Sequence, residues 1–315
     1  MRVRVVGFRF YRYRISLAKP LRLGGQDVVT RSGVLVHSEA SGGWGDASPL
    51  PGFSMETLED VFKALTGSEL DFPPSLRFAL DSAANPPSRK AEQTLPVNAL
   101  LMGDWDSVLG QAQAVAKAGY RSVKLKVGRQ SELISEIELV KKVAQILRPD
   151  QRLRLDANRA WQLERAVEFA DAVRDLNIEY IEEPTASSDD LESFYAATAM
   201  PYALDETLLE KGDLLRYQNA AALIVKPTLL GGVEKIRSLA DCGVPLIFSS
   251  CFESGVGILN VARWAAEYAP NTPAGLDTYR WLQNDLLVNS LEMSRGQLSV
   301  TAANVNHNRI EEVVL

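Results

Sequence analysis

Five charged residues stand at the ends of short apolar runs. They are Lys126 after Val123-Lys124-Leu125, Asp156 after Leu153-Arg154-Leu155, Glu182 after Tyr180-Ile181, Asp205 after Ala203-Leu204, and Lys226 after Leu223-Ile224-Val225. Successive members lie 30, 26, 23 and 21 residues apart, each step about the length of a strand, a helix and two loops. Three hard oxygen ligands on consecutive strands suit Mg²⁺, with Mn²⁺ as a substitute. Taken singly, an acidic residue at a strand end is as often a helix N-cap. Three in succession favour the metal.

A lysine before and after the acidic trio adds proton chemistry. In an eight-strand ring the second and sixth strands lie half a turn apart, so Lys126 and Lys226 are expected to face each other across the metal. One amine on each face of a metal-bound carboxylate is the arrangement needed to take a proton from the α-carbon. The barrier is the weak acidity of that carbon, and divalent charge stabilises the enediolate as it forms. Lys126 is the candidate base. Lys124 shares its face of the strand, and the two cations repel, so Lys124 and the metal are expected to lower the Lys126 pKa. On its own, a strand with two such lysines would read as a solvated edge.

Strands this evenly spaced, and apolar on both faces, predict a parallel barrel with the active groups at the carboxyl ends. Pro96–Leu101 is its first strand and Pro245–Ser249 its seventh, and Gly275–Thr278 is the candidate eighth. Helices are predicted over Asp106–Ala118, capped by Gly119, and over Ser131–Ile146, where Leu133, Ile137, Val140 and Ala144 share one side. Arg154 has the inward parity of Asp156 one layer deeper, as a barrel-floor ion pair or an orienting neighbour of the ligands. Asn158 reads as a turn residue or a partner for a lysine or ligand. Glu183 and Glu206 point away from their ligand neighbours and read as structural. Ser249 and Ser250, followed by Glu253-Ser254-Gly255-Val256-Gly257, offer small hydroxyls and free amides to a substrate carboxylate, as helix N-termini do.

Residues 1–92 have a different pattern. Strand-like pieces over Val3–Leu17 and Gly33–His37 precede a glycine-rich turn, Ser41–Gly45. Helical patterning starts at Ser54 as N-cap, and a second apolar stretch covers Leu76–Ala84. This is an α+β unit, and residues 86–92 mark its boundary. The barrel then spans residues 93–290, and residues 291–315 are expected to return to the first unit. A chain of 315 residues with 46% hydrophobic content accommodates both.

A net charge of −6 leaves no basic footprint for nucleic acid or an anionic membrane surface. No run reaches membrane-spanning length, and no signal-peptide block precedes the first strand. A small-molecule carboxylate is the expected partner, in a cytoplasmic setting. With only Cys242 and Cys251 there is no disulfide framework. With only His37 and His307, both outside the repeat, a histidine base, a Ser-His-Asp triad and a multi-histidine zinc site are all disfavoured. Trp44, Phe53 and Trp161 carry no role from their type alone.

These residues resemble the enolase superfamily, in its muconate-lactonizing-like branch. More narrowly, Trp44-Gly45-Asp46-Ala47-Ser48-Pro49-Leu50-Pro51-Gly52-Phe53-Ser54, Leu155-Asp156-Ala157-Asn158-Arg159-Ala160-Trp161 and Val225-Lys226-Pro227-Thr228 resemble the o-succinylbenzoate synthase family. The resemblance implies an α/β fold, a modified TIM barrel (β/α)₇β with an α+β capping domain. It also implies loss of water from 2-succinyl-6-hydroxy-2,4-cyclohexadiene-1-carboxylate in menaquinone biosynthesis. By the same resemblance Lys126 takes the α-proton and then protonates the leaving hydroxyl, and Lys226 stabilises the enediolate. Asp156, Glu182 and Asp205 hold Mg²⁺, and Ser249 contacts the substrate carboxylate. Two features depart from the pattern: Cys251 follows two serines where a third is common, and the loop Leu21–Arg31, expected to cover the site, is not clearly matched. A racemase or epimerase of N-succinylamino acids or dipeptides needs the same lysines and metal, and is the alternative. A non-catalytic scaffold is disfavoured, because a buried cluster of charges is costly to keep without use.

Overall fold

The computed structural model describes residues 6–23, 26–67, 72–85, 93–210 and 213–314. Val3, Val5 and residues 86–92, the predicted boundary, lie outside them.

The N-terminal unit is an antiparallel sheet backed by helices. Strands β1 (Phe8–Leu23) and β2 (Gln26–Ser38) form a long hairpin, and β3 (Trp44–Ala47) pairs with β2. Helices α1 (Leu58–Thr66) and α2 (Pro74–Ala84) follow. Side chains alternate faces along a strand. Val34 and Val36 therefore meet Val61, Leu76 and Ala79 of the helices on one side, while Leu35 joins Tyr13, Ile15, Val256 and Leu259 on the other. The sheet is thus buried on both faces, between its own helices and the barrel.

Three expectations for this unit are corrected. Trp44-Gly45 belongs to a strand rather than to the preceding turn. The first helix starts not at Ser54 but after Thr57, whose side chain and that of Asp60 form a reciprocal capping box; the Ser54 hydroxyl accepts instead from the Leu50 amide. Leu21–Arg31 is the end of the β1–β2 hairpin and not an open loop, with Leu21 paired to Val28 and Leu23 to Gln26; residues 24 and 25 lie outside the described residues. Gly45 is required by packing, since a Cβ there would overlap the carbonyl of Ala79 on α2. Gly45→Ala is therefore expected to lower stability by about 1–3 kcal/mol or more, read from the denaturant midpoint.

The barrel begins with β4 (Gln93–Pro96) and β5 (Ala99–Leu101). It continues with α3 (Trp105–Lys117), β6 (Ser122–Lys126), α4 (Leu133–Ile146), β7 (Arg152–Asp156), α5 (Leu163–Val173) and β8 (Ile178–Glu182). Then come α6 (Leu191–Thr198), β9 (Tyr202–Leu204), β10 (Ala220–Val225), α7 (Pro227–Leu230), α8 (Val233–Ala240), β11 (Leu246–Phe248) and α9 (Gly255–Tyr268). Strands β5 to β11 form one parallel sheet in chain order. The predicted first strand is split: β4 leaves to pair with β13 (Gln297–Val300), which also pairs with β12 (Met293–Ser294), and only β5 enters the parallel sheet. The predicted eighth strand is reduced to Ala274 and Gly275, which bridge Val97 and Ser249 and so close the ring. Asp277–Trp281 is already a 3₁₀ turn, because the Asp277 carboxylate is drawn back to the Leu100 amide at 2.9 Å. The tail reaches the first sheet through β14 (Glu311–Glu312), which pairs with β1 opposite Tyr11 and Arg12. No helix among the described residues is long and apolar enough to cross a membrane.

Parity sorts the barrel interior. Val123, Leu125, Leu153, Leu155, Ile181, Leu223, Val225 and Phe248 face outward into the large core shared with the helices. Tyr180, Ala203, Ala222, Ile224 and Ile247 form a small separate cluster inside the ring, and the charged residues continue the same inward parity above it.

Candidate active site

Register brings the charged residues to one level. Lys126 pairs with Asp156 and Asp156 with Glu182, while Lys124 pairs with Arg154 one layer down. Asp205 and Lys226 follow the last residues of β9 and β10. In the strand order β10 stands four places from β6, so in the closed ring the two lysine-bearing strand ends are opposed.

The acidic trio is buried, with Asp156 and Glu182 fully so and Asp205 4% exposed. Each member meets an ammonium group. The Lys124 Nζ donates to both Glu182 oxygens at 2.8 Å and lies 2.9 Å from Asp156 Oδ2. Lys126 Nζ lies 2.7 Å from the same Asp156 oxygen and donates to Asn158 Oδ1 at 2.7 Å. Lys226 Nζ donates to Asp205. Two ammonium groups thus converge on Asp156 Oδ2, a buried oxygen. Among the described residues no three His, Cys, Asp or Glu side chains are grouped closely enough to hold a metal as they stand. The donor set nonetheless fits a divalent cation: hard carboxylate oxygens from three adjacent strands, buried together and already drawing positive charge between them.

Electrostatics follow from this crowding. Burial alone would push the Lys124 pKa down, but Asp156, Glu182 and Asp205 outweigh it and hold it well above the ordinary lysine value. Burial works against the Asp156 carboxylate, yet Lys124, Lys126 and Lys226 keep it far below the usual range. Burial, with Asp156 alongside, pushes Glu182 well up. For Lys226, burial is again overcome by Asp205 and Glu182, and its pKa is raised. The Lys124 charge is met by two carboxylates, Glu182 and Asp156, and is not presented unbalanced to Lys126.

Other predicted residues sort clearly. Arg154 is the barrel-floor ion pair: it is buried and holds Glu179 through Nε and Nη2, at 2.8 and 3.1 Å, and the carbonyl of Pro273 at 2.6 Å. Asn158, at φ +43°, turns its amide over the site and joins Lys126 to Glu206, whose Oε1 accepts at 3.0 Å. Glu206 is therefore linked to the site, contrary to its reading as structural. Glu183 is structural, accepting from the Asp205 and Thr207 amides at 2.8 Å each and from Arg159. Ser249 and Ser250 reach the cavity wall, but the backbone amides near them are not free. Ser249 N donates to Val225 O, Ser250 N to Gly275 O and Cys251 N to Glu253. The start of α9 is likewise occupied, by Asp46 and Asp285. Of the hydroxyls, that of Ser250 is held by Gly275 O and Thr278, and that of Ser249 lies 3.5 Å from the same Gly275 carbonyl.

A cavity of about 630 Å³ lies above the lysines. The N-terminal unit contributes Leu21, Leu50 and Phe53 to its wall, and the barrel adds Met102, Leu229, Phe252 and Trp281. Its polar lining includes Asn98, Gln111, Asp277 and Arg280; Asn98 and Asp277 fall within predicted strands but lie on a loop and a 3₁₀ turn, while Gln111 lies on α3 and Arg280 on that same turn. Trp161 packs on Phe169, and Trp44 stacks against His37 with ring centroids 4.4 Å apart, both away from the cavity.

One buried residue ties the two units together beside this cavity. Arg31, 1% exposed, donates to Ser48 O at 2.7 Å, Pro49 O at 3.0 Å and Phe252 O at 3.0 Å. Asp46 adds a second tie, accepting from Tyr13 and from Ser254 at the start of α9.

Sequence profiles match both units. The family described as "Enolase C-terminal domain-like" covers residues 107–304, and "MenC, N-terminal domain" covers residues 5–84. The o-succinylbenzoate synthase of Enterobacter sp. (strain 638) is 34% identical over 308 residues, covering 89% of this chain and 93% of that protein. The chain belongs to the o-succinylbenzoate synthase family of the enolase superfamily. Solved structures of the superfamily share the fold. The L-Ala-D/L-Glu epimerase from Bacillus subtilis, at 22% identity, superposes with a TM-score of 0.81 over 100% of both chains. The o-succinylbenzoate synthase from Thermosynechococcus elongatus BP-1, complexed with Mg, gives 0.76 at 24% identity over 90% of this chain and 97% of that one.

Proposed function

We propose that this lyase dehydrates 2-succinyl-6-hydroxy-2,4-cyclohexadiene-1-carboxylate to o-succinylbenzoate, with Lys126 as the group that moves the proton. The observation that carries the reading is the pair of opposed lysine-bearing strand ends over three buried carboxylates, in a chain related to o-succinylbenzoate synthases through cap and barrel alike.

Asp156, Glu182 and Asp205 would hold Mg²⁺, or Mn²⁺ in its place. The cation supplies Lewis-acid charge that makes the α-carbon more acidic. Lys126, in its amine form, takes the α-proton and breaks the C–H bond. The resulting ammonium returns that proton to the ring hydroxyl as the C–O bond breaks, so water leaves and the ring becomes aromatic. Asn158 Oδ1 orients Lys126 for both transfers. Lys226 places a positive charge on the opposite face, where negative charge builds up. The apolar wall of Leu21, Leu50, Phe53 and Met102 excludes water around the ring.

Purified protein with Mg²⁺ is expected to convert the cyclohexadiene to the aromatic product. EDTA should abolish turnover, and added Mg²⁺ should restore it. Absence of product under these conditions would discard the reading. A racemase or epimerase would use the same lysines, so N-succinylamino acids in D₂O provide the contrast, with little or no α-deuterium expected.

A further inference from the structure

The substrate of the proposed reaction carries two carboxylates, and the lysine–carboxylate centre accounts for only one. We infer that Arg280 receives the second, the carboxylate at the end of the succinyl chain, and so sets the preference for a diacid. The inference rests on the functional reading above and names the other end of the same site.

Three observations carry it. The first is position: the ring is closed by Ala274–Gly275, four places from β8 and so across the barrel mouth from Glu182, and Arg280 sits on the 3₁₀ turn that follows directly. The cavity above the acidic trio reaches that turn, where Arg280 forms part of its wall. The second is anchoring. Arg280 Nη2 donates to the Leu100 carbonyl and lies 3.1 Å from Asp277 Oδ2, and the same Asp277 oxygen takes the Leu100 amide at 2.9 Å. Asp277 is 2% exposed, so it serves as the positioning residue for the guanidinium.

The third observation is spare capacity. Nε and Nη1 have no hydrogen-bond or ion-pair partner among the described residues, the side chain is 40% exposed, and it lines the cavity. Each of these free N–H groups offers a carboxylate oxygen a single charge-assisted hydrogen bond. The other cations of the wall are committed or less fixed. Lys124, Lys126 and Lys226 hold the acidic trio, and among the described residues no side-chain hydrogen bond or ion pair fixes Lys19 or Arg129 as Leu100 and Asp277 fix Arg280.

The test compares binding of o-succinylbenzoate and of 2-butanoylbenzoate, which lacks the terminal carboxylate, in the presence of Mg²⁺. The wild type is expected to prefer the diacid by about 10- to 100-fold, the range for a charged hydrogen-bonded pair. Arg280→Gln should reduce that preference to a few-fold and raise KM for the cyclohexadiene more than it lowers kcat, and Arg280→Lys should retain part of the preference. An undiminished preference in Arg280→Gln, or its loss in Lys19→Ala or Arg129→Ala instead, would overturn the assignment while leaving the dehydration intact. A wild type that fails to dehydrate the cyclohexadiene would overturn the functional reading and this inference with it.

Discussion

Lys126→Ala is expected to lower kcat for dehydration by about 10⁴-fold, the upper end of what a positioned acid–base group contributes. The same nitrogen serves two steps, removing the α-proton and delivering it to the departing hydroxyl, so no second group in the site takes over either task. Lys226 stands on the opposed strand end and is bound to Asp205. The fold should survive, because Lys124 still balances Asp156 and Glu182 at 2.8–2.9 Å. Product formation followed by absorbance, with thermal unfolding of the same sample, checks both halves. A variant folded like the wild type and turning over within tenfold of it would remove Lys126 from the mechanism.

Lys124→Met carries the largest expected effect on stability, a loss of about 3–5 kcal/mol, because deleting one partner of a buried ion pair leaves the other charge uncompensated. Two fully buried carboxylates lose their shared ammonium in this variant. The sign follows from linkage. The folded Lys124 pKa lies above its ordinary value, so the stabilisation is complete below the unfolded lysine pKa and fades only as pH rises through the folded one. It is therefore fully present at neutral pH. Mg²⁺ should raise the Tm of Lys124→Met more than that of the wild type, since a cation bound to the native state stabilises it by mass action and replaces the missing charge. An unchanged Tm in the variant would refute the counter-charge account.

What the sequence revealed was whatever depends on strand parity. On a strand the side-chain period is two, and burial of both faces makes each strand an apolar run, so Lys126, Asp156, Glu182, Asp205 and Lys226 stand out as charges where the run ends. Arg154 was placed on the barrel floor by the same rule. Parity does not reach beyond the strands. Asn158 was legible as a turn residue or a lysine partner, and it is both, but its link from Lys126 on to Glu206 depends on a left-handed backbone conformation that parity does not predict. Gly275–Thr278 has the composition of a strand, but Asp277 finds the Leu100 amide and a 3₁₀ turn results. Ser54 and Thr57 both have capping side chains, and the choice falls to Thr57 because Asp60 answers it three residues on. Arg31 was silent for a related reason: its acceptors are backbone carbonyls more than 200 residues away as well as nearby ones, and a carbonyl has no signature in the sequence.

The pairing of β14 with β1 has a bearing on how the molecule is made. Arg12 and Glu311, joined across that edge, are 299 residues apart, so at about 5–20 residues per second a ribosome takes roughly 15–60 seconds to supply the partner of a strand it has already released. During that interval the hairpin has an open edge, and the guanidinium of Arg31 waits for carbonyls near residue 252. Nascent chains are therefore expected to be most exposed to edge-to-edge association until the segment holding Glu311 and Glu312 emerges.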